Sequence, residues 1–496
     1  MSISFNGWFI HDLAFMHKIG TNDKTVGVTA INKRKVIPIG KILIRFFAVF
    51  LIYIILSCAI PPAFFRSADG IELSDFRSEP AAGERILCID DNVDALVYRL
   101  AAIENAEKSI ILSTFDLADD DSGRAIMSAL LEAADRGVRV DMIIDGINGE
   151  FKLIGNECFE ALVSHENVEA CLYNRINILL PGFVNYRLHD KYLLVDGGLY
   201  ILGGRNTRDL FLGEYPEEYS IDRDVLVLSD SGSESSSAAA LKAYFDKIRA
   251  EDRNWEFAVC LSESRLAKGK SALRAHYAAT REKYPQAFQP VDWEALTVPV
   301  EGVSLLWGDT RCGNKSPILL ENIMALADGA EDIVIQTPYV VCNDKMYGDL
   351  ASLSGNARVR ILTNATESGD NVFGCVDYLN EKGKILDTGC EIFEYSGEQS
   401  LHTKTVLIDD SISIVGSYNF DMRSTYLDTE LMLVINSREL NAELRSKVGL
   451  LEDSSLHVTP EGETEGANYV PCEPSFFKKL LYGILRVLVI PFRQLL

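Results

Sequence analysis

The chain has 496 residues, of which 47% are hydrophobic and 24% charged, and 72 acidic against 48 basic residues give a net charge of −24. Gly and Pro make up only about a tenth of the chain, which excludes a collagen-like or largely disordered protein. Because an acidic body repels polyanions, no nucleic-acid partner is expected. The ten cysteines include no CxxC pair, so the spacing predicts no zinc site and leaves one or two disulfides open.

The N-terminal region combines positive charge with an apolar segment. Residues 1–41 are predicted to be a basic extension, and residues 42–65 are predicted to be a transmembrane anchor or signal segment. The helix of this segment is expected to end at Pro61-Pro62. The preceding basic residues predict a cytoplasmic N-terminus and a body on the outer side of a membrane. The alternatives are a buried soluble helix and a segment that is cleaved, or lipidated at Cys58.

Two regions repeat the same order of strand-like and helix-like segments, which predicts an α/β fold of two halves, each a mixed sheet flanked by helices, about a pseudo-twofold axis. The halves are residues 80–260 and 301–450, with a charged connection at 261–300. Strands of the first half are predicted at Ser109–Leu117, Val138–Asp145, Val168–Tyr173, Lys191–Asp196, Tyr200–Leu202 and Val225–Leu228, and helices at Val93–Ala106, Gly123–Gly137 and Ala238–Ala250. Those of the second are Asp332–Val340, Val359–Thr363, Glu391–Tyr395, Thr405–Asp409, Ser413–Val415 and Glu430–Ile435, with helices at Pro317–Ala330 and Val376–Cys390.

The C-terminal region is predicted to be an acidic linker at residues 451–474 and an amphipathic helix at residues 475–496. The helix is too short before Pro491 to span a bilayer comfortably, so it is expected to lie in the membrane surface. Its four basic residues would then lie near anionic headgroups: Lys478, Lys479, Arg486 and Arg493. The alternative is a helix that docks on the core.

Each half carries one copy of a longer signature with identical spacing. In the first half His189, Lys191 and Asp196 precede Gly203-Gly204-Arg205-Asn206, and in the second His402, Lys404 and Asp409 precede Gly416-Ser417-Tyr418-Asn419. The two copies begin 213 residues apart, and in both the histidine lies seventeen residues before the asparagine. Two full copies with equal spacing, in halves with the same element order, make a structural coincidence a poor explanation.

Strand periodicity indicates what this signature does. Residues i and i+2 of a strand point to the same face, so the histidine and lysine project together, and a hairpin-like return at the glycines brings the asparagine beside them. Each half therefore presents an imidazole, an ammonium group and a carboxamide, a set suited to one phosphoryl group.

The duplicated HxKxxxxD…GGxN/GSxN motif resembles that of the phospholipase D superfamily, over roughly residues 80–445. The tail Gly416 to Ser424 and the segment Ala133 to Val140 resemble the bacterial cardiolipin synthase branch in particular. Typical members of that branch have two N-terminal transmembrane helices, whereas this chain shows one apolar segment.

The resemblance implies a metal-free, cofactor-free phosphodiester exchange through a phosphohistidine. His189 would be the nucleophile and His402 the acid and base, although the symmetry of the motifs alone leaves these roles open. Four side chains would hold the nonbridging oxygens: Lys191, Lys404, Asn206 and Asn419.

Four carboxylates are candidate supports for these groups. Glu430 is the candidate to hold an imidazole in the second half, and Asp222 is its counterpart in the first, with Asp224 as a competitor. Asp196 and Asp409 are expected to support the site without taking part in the chemistry. A surface carboxylate at a strand edge is the structural alternative for Glu430 and Asp222.

The apolar segments at both ends favour a lipid substrate and a place at the bacterial cell membrane. The predicted function is phosphatidyl transfer to a lipid alcohol, most simply two phosphatidylglycerol molecules giving cardiolipin and glycerol. A hydrolytic phospholipase D or other phosphodiesterase, a nuclease and a noncatalytic binding protein are the alternatives, because the motif alone does not identify the substrate.

Overall fold

The structure, a computed structural model, describes residues 39–68, 71, 73, 83–214, 216–230, 232–472 and 476–496. The chain divides into two compact units, with the boundary between Ile52 and Tyr53. Most of the predicted basic extension lies outside the described residues. Helix α1 (Ile39–Ala59) ends just before Pro61-Pro62, as expected of two prolines in succession. It contributes to the one described segment that is long and apolar enough to cross a membrane, Leu43–Ala63.

The first half is an α/β layer built on a nine-stranded sheet. Its elements are β1 (Arg85–Ile89), α2 (Asn92–Glu104), β2 (Ser109–Thr114), α3 (Asp121–Asp135), β3 (Arg139–Asp145), α4 (Gly146–Lys152), α5 (Glu157–Val163), β4 (Val168–Tyr173), β5 (Tyr192–Val195), β6 (Leu199–Gly203), β7 (Ser220–Ile221), β8 (Asp224–Leu228), α6 (Ser237–Arg249) and β9 (Trp255–Glu256). Then come α7 (Glu263–Lys283), α8 (Trp293–Leu296) and β10 (Val298–Pro299). The strand order is β10-β1-β8-β6-β5-β2-β3-β4-β9.

The second half repeats this plan. Its elements are β11 (Gly302–Trp307), α9 (Ile318–Ala327), β12 (Asp332–Gln336), β13 (Val340–Val341), α10 (Asp344–Ser354), β14 (Arg358–Asn364), α11 (Val372–Asp387), β15 (Glu391–Tyr395), β16 (Ser400–Leu401), β17 (Thr405–Ile408), β18 (Ile412–Gly416), β19 (Phe420–Asp421), α12 (Met422–Tyr426), β20 (Leu431–Asn436), α13 (Arg438–Glu452), β21 (Ser455–Thr459), β22 (Gly462–Glu465) and α14 (Phe476–Val489). The strand order is β11-β20-β18-β17-β12-β14-β15-β21-β22.

The two sheets match over eight strands, and only β10 of the first and β22 of the second have no counterpart among the described strands. In each, three parallel strands joined by helices lie beside the antiparallel pair that carries the motif: β2, β3 and β4 beside β5 and β6, and β12, β14 and β15 beside β17 and β18. The parallel strands read as continuous apolar runs because helices and the other half cover both faces. This confirms the predicted fold of two mixed sheets flanked by helices.

The halves share a hydrophobic core. One buried cluster combines residues such as Tyr192 and Leu194 of the first sheet with Leu407 and Leu433 of the second, while each half also has a separate outer core. Burial of this shared apolar surface favours association of the halves, and it brings the two motif-bearing strand pairs close together.

Several sequence-based expectations need correction. Strands β1 and β11, which open the two halves, were not predicted, and the strand expected to reach Leu117 ends at Thr114. The connection contains the long helix α7, which packs on α3 and α5. The expected acidic linker is largely the hairpin β21–β22, which extends the second sheet.

The C-terminal segment also differs from expectation, since three of its four basic side chains bind groups of the protein. Helix α14 packs on α11, with Tyr482 and Val489 buried. The Lys478 ammonium donates to the Glu367 carbonyl, and the Arg486 guanidinium donates to Asn380. Likewise the Arg493 guanidinium, in the turn that follows α14, is ion-paired with Asp377 at 2.5 Å. These side chains hold the C-terminal segment on the body instead of projecting toward headgroups.

Candidate active site

Both signatures lie at the same ends of equivalent strand pairs. His189 and Lys191 immediately precede β5, and Asn206 follows β6. The amide of Gly203 donates to the Lys191 carbonyl at 3.3 Å, which closes the predicted hairpin-like return. In the second half the amide of Gly416 makes the equivalent bond to Lys404 at 3.3 Å.

Each histidine binds a carboxylate that comes from the opposite half. His189 Nδ1 lies 2.8 Å from Glu430 Oε1, and His402 Nδ1 lies 2.6 Å from Asp222 Oδ2. The two acids identified from sequence are therefore beside the histidines, but the pairing is crossed between halves. Asp224, the competing candidate, instead pairs with Arg99 at 2.9 Å.

Short backbone contacts between the halves produce this crossed pairing. Strand β7, just before Asp222, pairs in parallel with β16, just before His402, and the His402 amide donates to the Ile221 carbonyl at 2.7 Å. The equivalent contact is a parallel bridge between Leu188 and Thr429, which precede His189 and Glu430. Each histidine is thus fixed by the main chain beside the acid of the other half.

The two carboxylates differ in their electrostatics. Burial alone would raise the pKa of Asp222, but the charges of Lys404 and His402 outweigh it and lower the pKa to about 2. Burial raises the pKa of Glu430 well above its usual range, and Lys191 and Ser417 oppose this only in part. Asp222 is therefore held as a carboxylate, whereas burial makes ionisation of Glu430 less favourable.

The neighbouring motif residue accounts for the different acids. A Cβ at Gly204 would lie 2.3 Å from Asp222 Oδ1, so no side chain fits there. At the equivalent position Ser417 donates its hydroxyl proton to Glu430 Oε2 at 2.5 Å. The Gly-Gly form of the motif thus lies beside the aspartate Asp222, and the Gly-Ser form lies beside the glutamate Glu430.

The lysines and asparagines complete the site. Burial lowers the pKa of Lys191 to about 7, and burial also lowers that of Lys404. Lys404 Nζ lies 2.7 Å from His402 Nδ1. Asn206 and Asn419 are both buried, and their side-chain oxygens accept no hydrogen bond from the described residues. Their amides are free to turn their N–H groups toward an anion.

The imidazoles share one electrostatic environment. Burial lowers the pKa of His189 well below its usual value, and the charges of Lys191, Lys404 and His402 lower it further. Burial and Lys404 also lower the pKa of His402, but the Asp222 carboxylate opposes them. Since groups of both motifs act on His189, the structure brings the two signatures together.

Two aromatic rings at the site were not identified from sequence. The Phe115 ring contacts His189 edge-on, with ring centroids 5.2 Å apart, and the Phe211 ring lies 4.9 Å from His402. Phe115 comes directly after β2, within the segment that was predicted as part of this strand. Phe211 lies in a loop where no sequence pattern indicated a site residue. Both rings limit how the imidazoles can turn.

Asp196 and Asp409 lie away from the imidazoles. Asp196 follows the far end of β5, about 13 Å along a four-residue strand at ~3.3 Å per residue. Its carboxylate accepts the amides of Lys108 and Ser109 at 2.7 and 2.8 Å, and Asp409 accepts the amide of Glu331 at 2.8 Å. These aspartates tie the motif strands to the chain entering the neighbouring strand.

No group of three or more His, Cys, Asp or Glu residues suited to a metal ion occurs in the part of the chain that the structure describes. All ten cysteines belong to this part, and none of them forms a disulfide.

The family model described as "Cardiolipin synthase, PLD-like domain" matches residues 100–248 and 322–449, which include both signatures. The chain therefore belongs to this family of the phospholipase D superfamily.

Individual relatives have low sequence identity to this chain, but the similarity extends over most of its length. The chain is 28% identical over 395 residues to cardiolipin synthase C of Escherichia coli (strain K12), covering 71% of this chain and 81% of that protein. It is 24% identical over 412 residues to an uncharacterized protein of Helicobacter pylori (strain 26695), covering 75% and 80%. Among solved structures, phosphatidylserine synthase of Haemophilus influenzae Rd KW20 superimposes with a TM-score of 0.57 at 18% identity, covering 82% of this chain and 93% of that one. This last likeness supports the fold.

Proposed function

We propose that this protein is a membrane-bound phosphatidyltransferase that forms cardiolipin, or a related phospholipid, through a phosphohistidine intermediate. The observation that carries the proposal is the pair of crossed histidine–carboxylate contacts, His189 with Glu430 and His402 with Asp222, beside two buried lysines. Such a site can bind one phosphodiester and supply both a nucleophile and a proton donor.

The electrostatics favour His189 as the nucleophile. An imidazole must be neutral to attack phosphorus, and burial together with the charges of Lys191 and Lys404 lowers the pKa of His189 well below its usual value. Its Nδ1 faces Glu430 Oε1, which leaves Nε2 as the attacking atom. The pKa of His402 is also lowered by burial and Lys404, but the ionised Asp222 opposes this and makes the protonated form needed in a general acid more accessible at His402 than at His189. These assignments agree with the roles that the family resemblance implies.

The reaction would proceed in two steps. His189 Nε2 attacks the phosphorus of the first phospholipid, the bond to the headgroup oxygen breaks, and His402 donates its proton to the departing alcohol. His402 then accepts the hydroxyl proton of the second lipid as that oxygen attacks phosphorus and the P–N bond breaks. Four groups would stabilise the charge on the nonbridging oxygens: Lys191, Lys404, Asn206 and Asn419.

Three observations support a lipid substrate. The family model and the E. coli relative carry the name cardiolipin synthase. The segment Leu43–Ala63 is long and apolar enough to anchor the protein in a membrane. The net charge of −24 disfavours nucleic acid. We place the body on the outer side of the bacterial cell membrane, and phosphatidylglycerol is the proposed donor and acceptor.

The proposal is tested with the full-length protein in vesicles of phosphatidylglycerol. We expect cardiolipin and glycerol as products, and a His189→Ala variant without either. The matched control is His276→Ala, a partly exposed histidine away from the site, which should keep full activity. Phosphatidic acid as the only lipid product would instead identify a hydrolytic phospholipase D, and absence of any lipid product would refute the proposal.

A further inference from the structure

Large apolar side chains are exposed on three separate segments of the unit that begins at Tyr53. One is the end of α1, and the second is the loop between β4 and His189, where Leu179 is 78% exposed. The third is the outer face of α14, where Phe477 is also 78% exposed and Val487 68%. Exposed apolar surface of this extent is unusual on a soluble protein and marks an interaction site.

Hydrogen bonds join these segments into one surface. The Tyr53 hydroxyl donates to the Leu179 carbonyl at 2.6 Å, and the Asn185 amide group donates to the Cys58 carbonyl at 2.8 Å. On the other side, the Gln494 amide group donates to the Ala59 carbonyl at 3.0 Å. The loop and the C-terminal segment therefore both bind the end of the helix that forms the candidate membrane span. We call residues 177–182 and the outer face of α14 the apolar platform.

The chemistry of the platform fits lipid. Lys478 and Arg486 bind groups of the protein, and the large exposed side chains of α14 are mainly Phe, Leu, Ile and Val, with Lys479 also exposed. An acidic peptide or a nucleic acid would need the opposite arrangement, with the basic side chains outward. Because the surface continues from an apolar helix that suits a bilayer, the hydrocarbon boundary of that bilayer is the matching partner.

The platform is also connected to the catalytic motifs. Asn185 lies three residues after the platform's loop and four residues before His189. Arg423, four residues after Asn419, donates to the Asn185 carbonyl at 2.9 Å and to the Leu495 carbonyl at 3.0 Å. One side chain thus binds both the loop and the C-terminal segment at the edge of the site.

We propose that the apolar platform inserts into the bilayer surface and holds the active site against it, so that phospholipids reach His189 from the membrane. The delivery of phospholipid substrate to His189 rests on the proposed function, whereas insertion of the platform into the bilayer can be measured independently. The loop at residues 177–182 is a membrane contact that the sequence pattern did not indicate.

The first test measures insertion directly. Leu179→Trp and Phe477→Trp variants of the full-length protein, in vesicles containing brominated phosphatidylcholine, should lose at least half of the added tryptophan emission. Leu450→Trp on α13, also at an exposed leucine (65%), is the matched control and should be quenched little. Quenching at positions 179 and 477 no greater than at 450 would overturn the proposal, and protection of both positions only at high protein concentration would indicate a second copy of the chain instead.

The second test links insertion to turnover. Leu179→Asp and Phe477→Asp should each lower kcat/KM for long-chain phosphatidylglycerol in vesicles at least tenfold, while activity on a monomeric short-chain analogue stays within twofold of the parent. Leu450→Asp should change neither. Equal losses on both substrates would refute docking as the cause. If the parent protein shows no activity but the Leu179→Trp and Phe477→Trp variants are still quenched, the proposed function alone is rejected.

Discussion

The histidine of the first half and the histidine of the second half occupy equivalent places but lie in different electrostatic surroundings. His189 bonds a glutamate that burial drives toward its protonated form, and His402 bonds an aspartate that two positive charges keep ionised. Duplication of a scaffold thus need not duplicate its chemistry. On the mechanism that we propose, a change of acid from Asp222 to Glu430, together with a serine in place of a glycine, would suit one imidazole to attack and the other to proton transfer.

The largest effect is expected from removing either imidazole. His189→Ala and His402→Ala should each lower kcat by about 10³-fold or more, because each removes a reacting group. The comparison predicts that only His189→Ala abolishes the covalent phosphoenzyme, measured by acid quench with a phosphorus-labelled lipid. Loss of the phosphoenzyme in His402→Ala alone would reverse the two roles.

The next largest loss of kcat is expected from changing the two acids, and it should differ between them. Asp222→Asn should lower kcat about 10²-fold or more, because a neutral amide no longer stabilises protonated His402. Glu430→Gln should cost only about tenfold, since a glutamine side-chain oxygen can still accept the Nδ1 proton of His189 and keep the ring oriented. Both variants should keep the parent melting temperature within a few degrees, and a larger loss for Glu430→Gln would contradict the division of roles.

The pH dependence sharpens the comparison further. With a pKa lowered to about 7, Lys191 in the free enzyme is charged below this pH and neutral above it. We expect kcat/KM to fall above pH 7, approaching tenfold per pH unit, because the neutral amine holds a phosphate poorly. From about pH 7 to 10 the unfolded chain binds the extra proton at this lysine, so its contribution to stability becomes more favourable as pH rises. A flat kcat/KM profile from pH 6.5 to 9 would contradict the assignment.

The smallest effect concerns the glycine and serine beside the two acids. Gly204→Ala should destabilise the protein by about 2 kcal/mol, because the new Cβ meets the Asp222 carboxylate. Ser417→Ala removes one hydrogen bond to Glu430 and should cost only about 1 kcal/mol. Melting temperatures of the two variants measure this difference, and equal values would show that the halves tolerate a side chain there equally.

Much of the fold follows from local sequence pattern. Strands β4 and β15 have the predicted bounds, and the motif strands β5 and β17 begin within one residue of prediction, because apolar runs between turn residues specify strands. Strands β1 and β11 and the hairpin β21–β22 were missed. Their short or mixed patterns gain stability from pairing with strands distant in sequence, which no local window contains.

The sequence by itself determined the duplication and predicted the candidate reacting groups and supporting acids, with Asp224 left as a competitor, because each depends on residue types at short spacing. Only the tertiary structure decided that Glu430 serves His189 and Asp222 serves His402, since that pairing requires the two halves to pack face to face. The same holds for the contacts that Lys478 and Arg486 of α14 make with the body and for the rings of Phe115 and Phe211. Their positions depend on contacts between segments far apart in the chain, and sequence periodicity carries no information about such contacts.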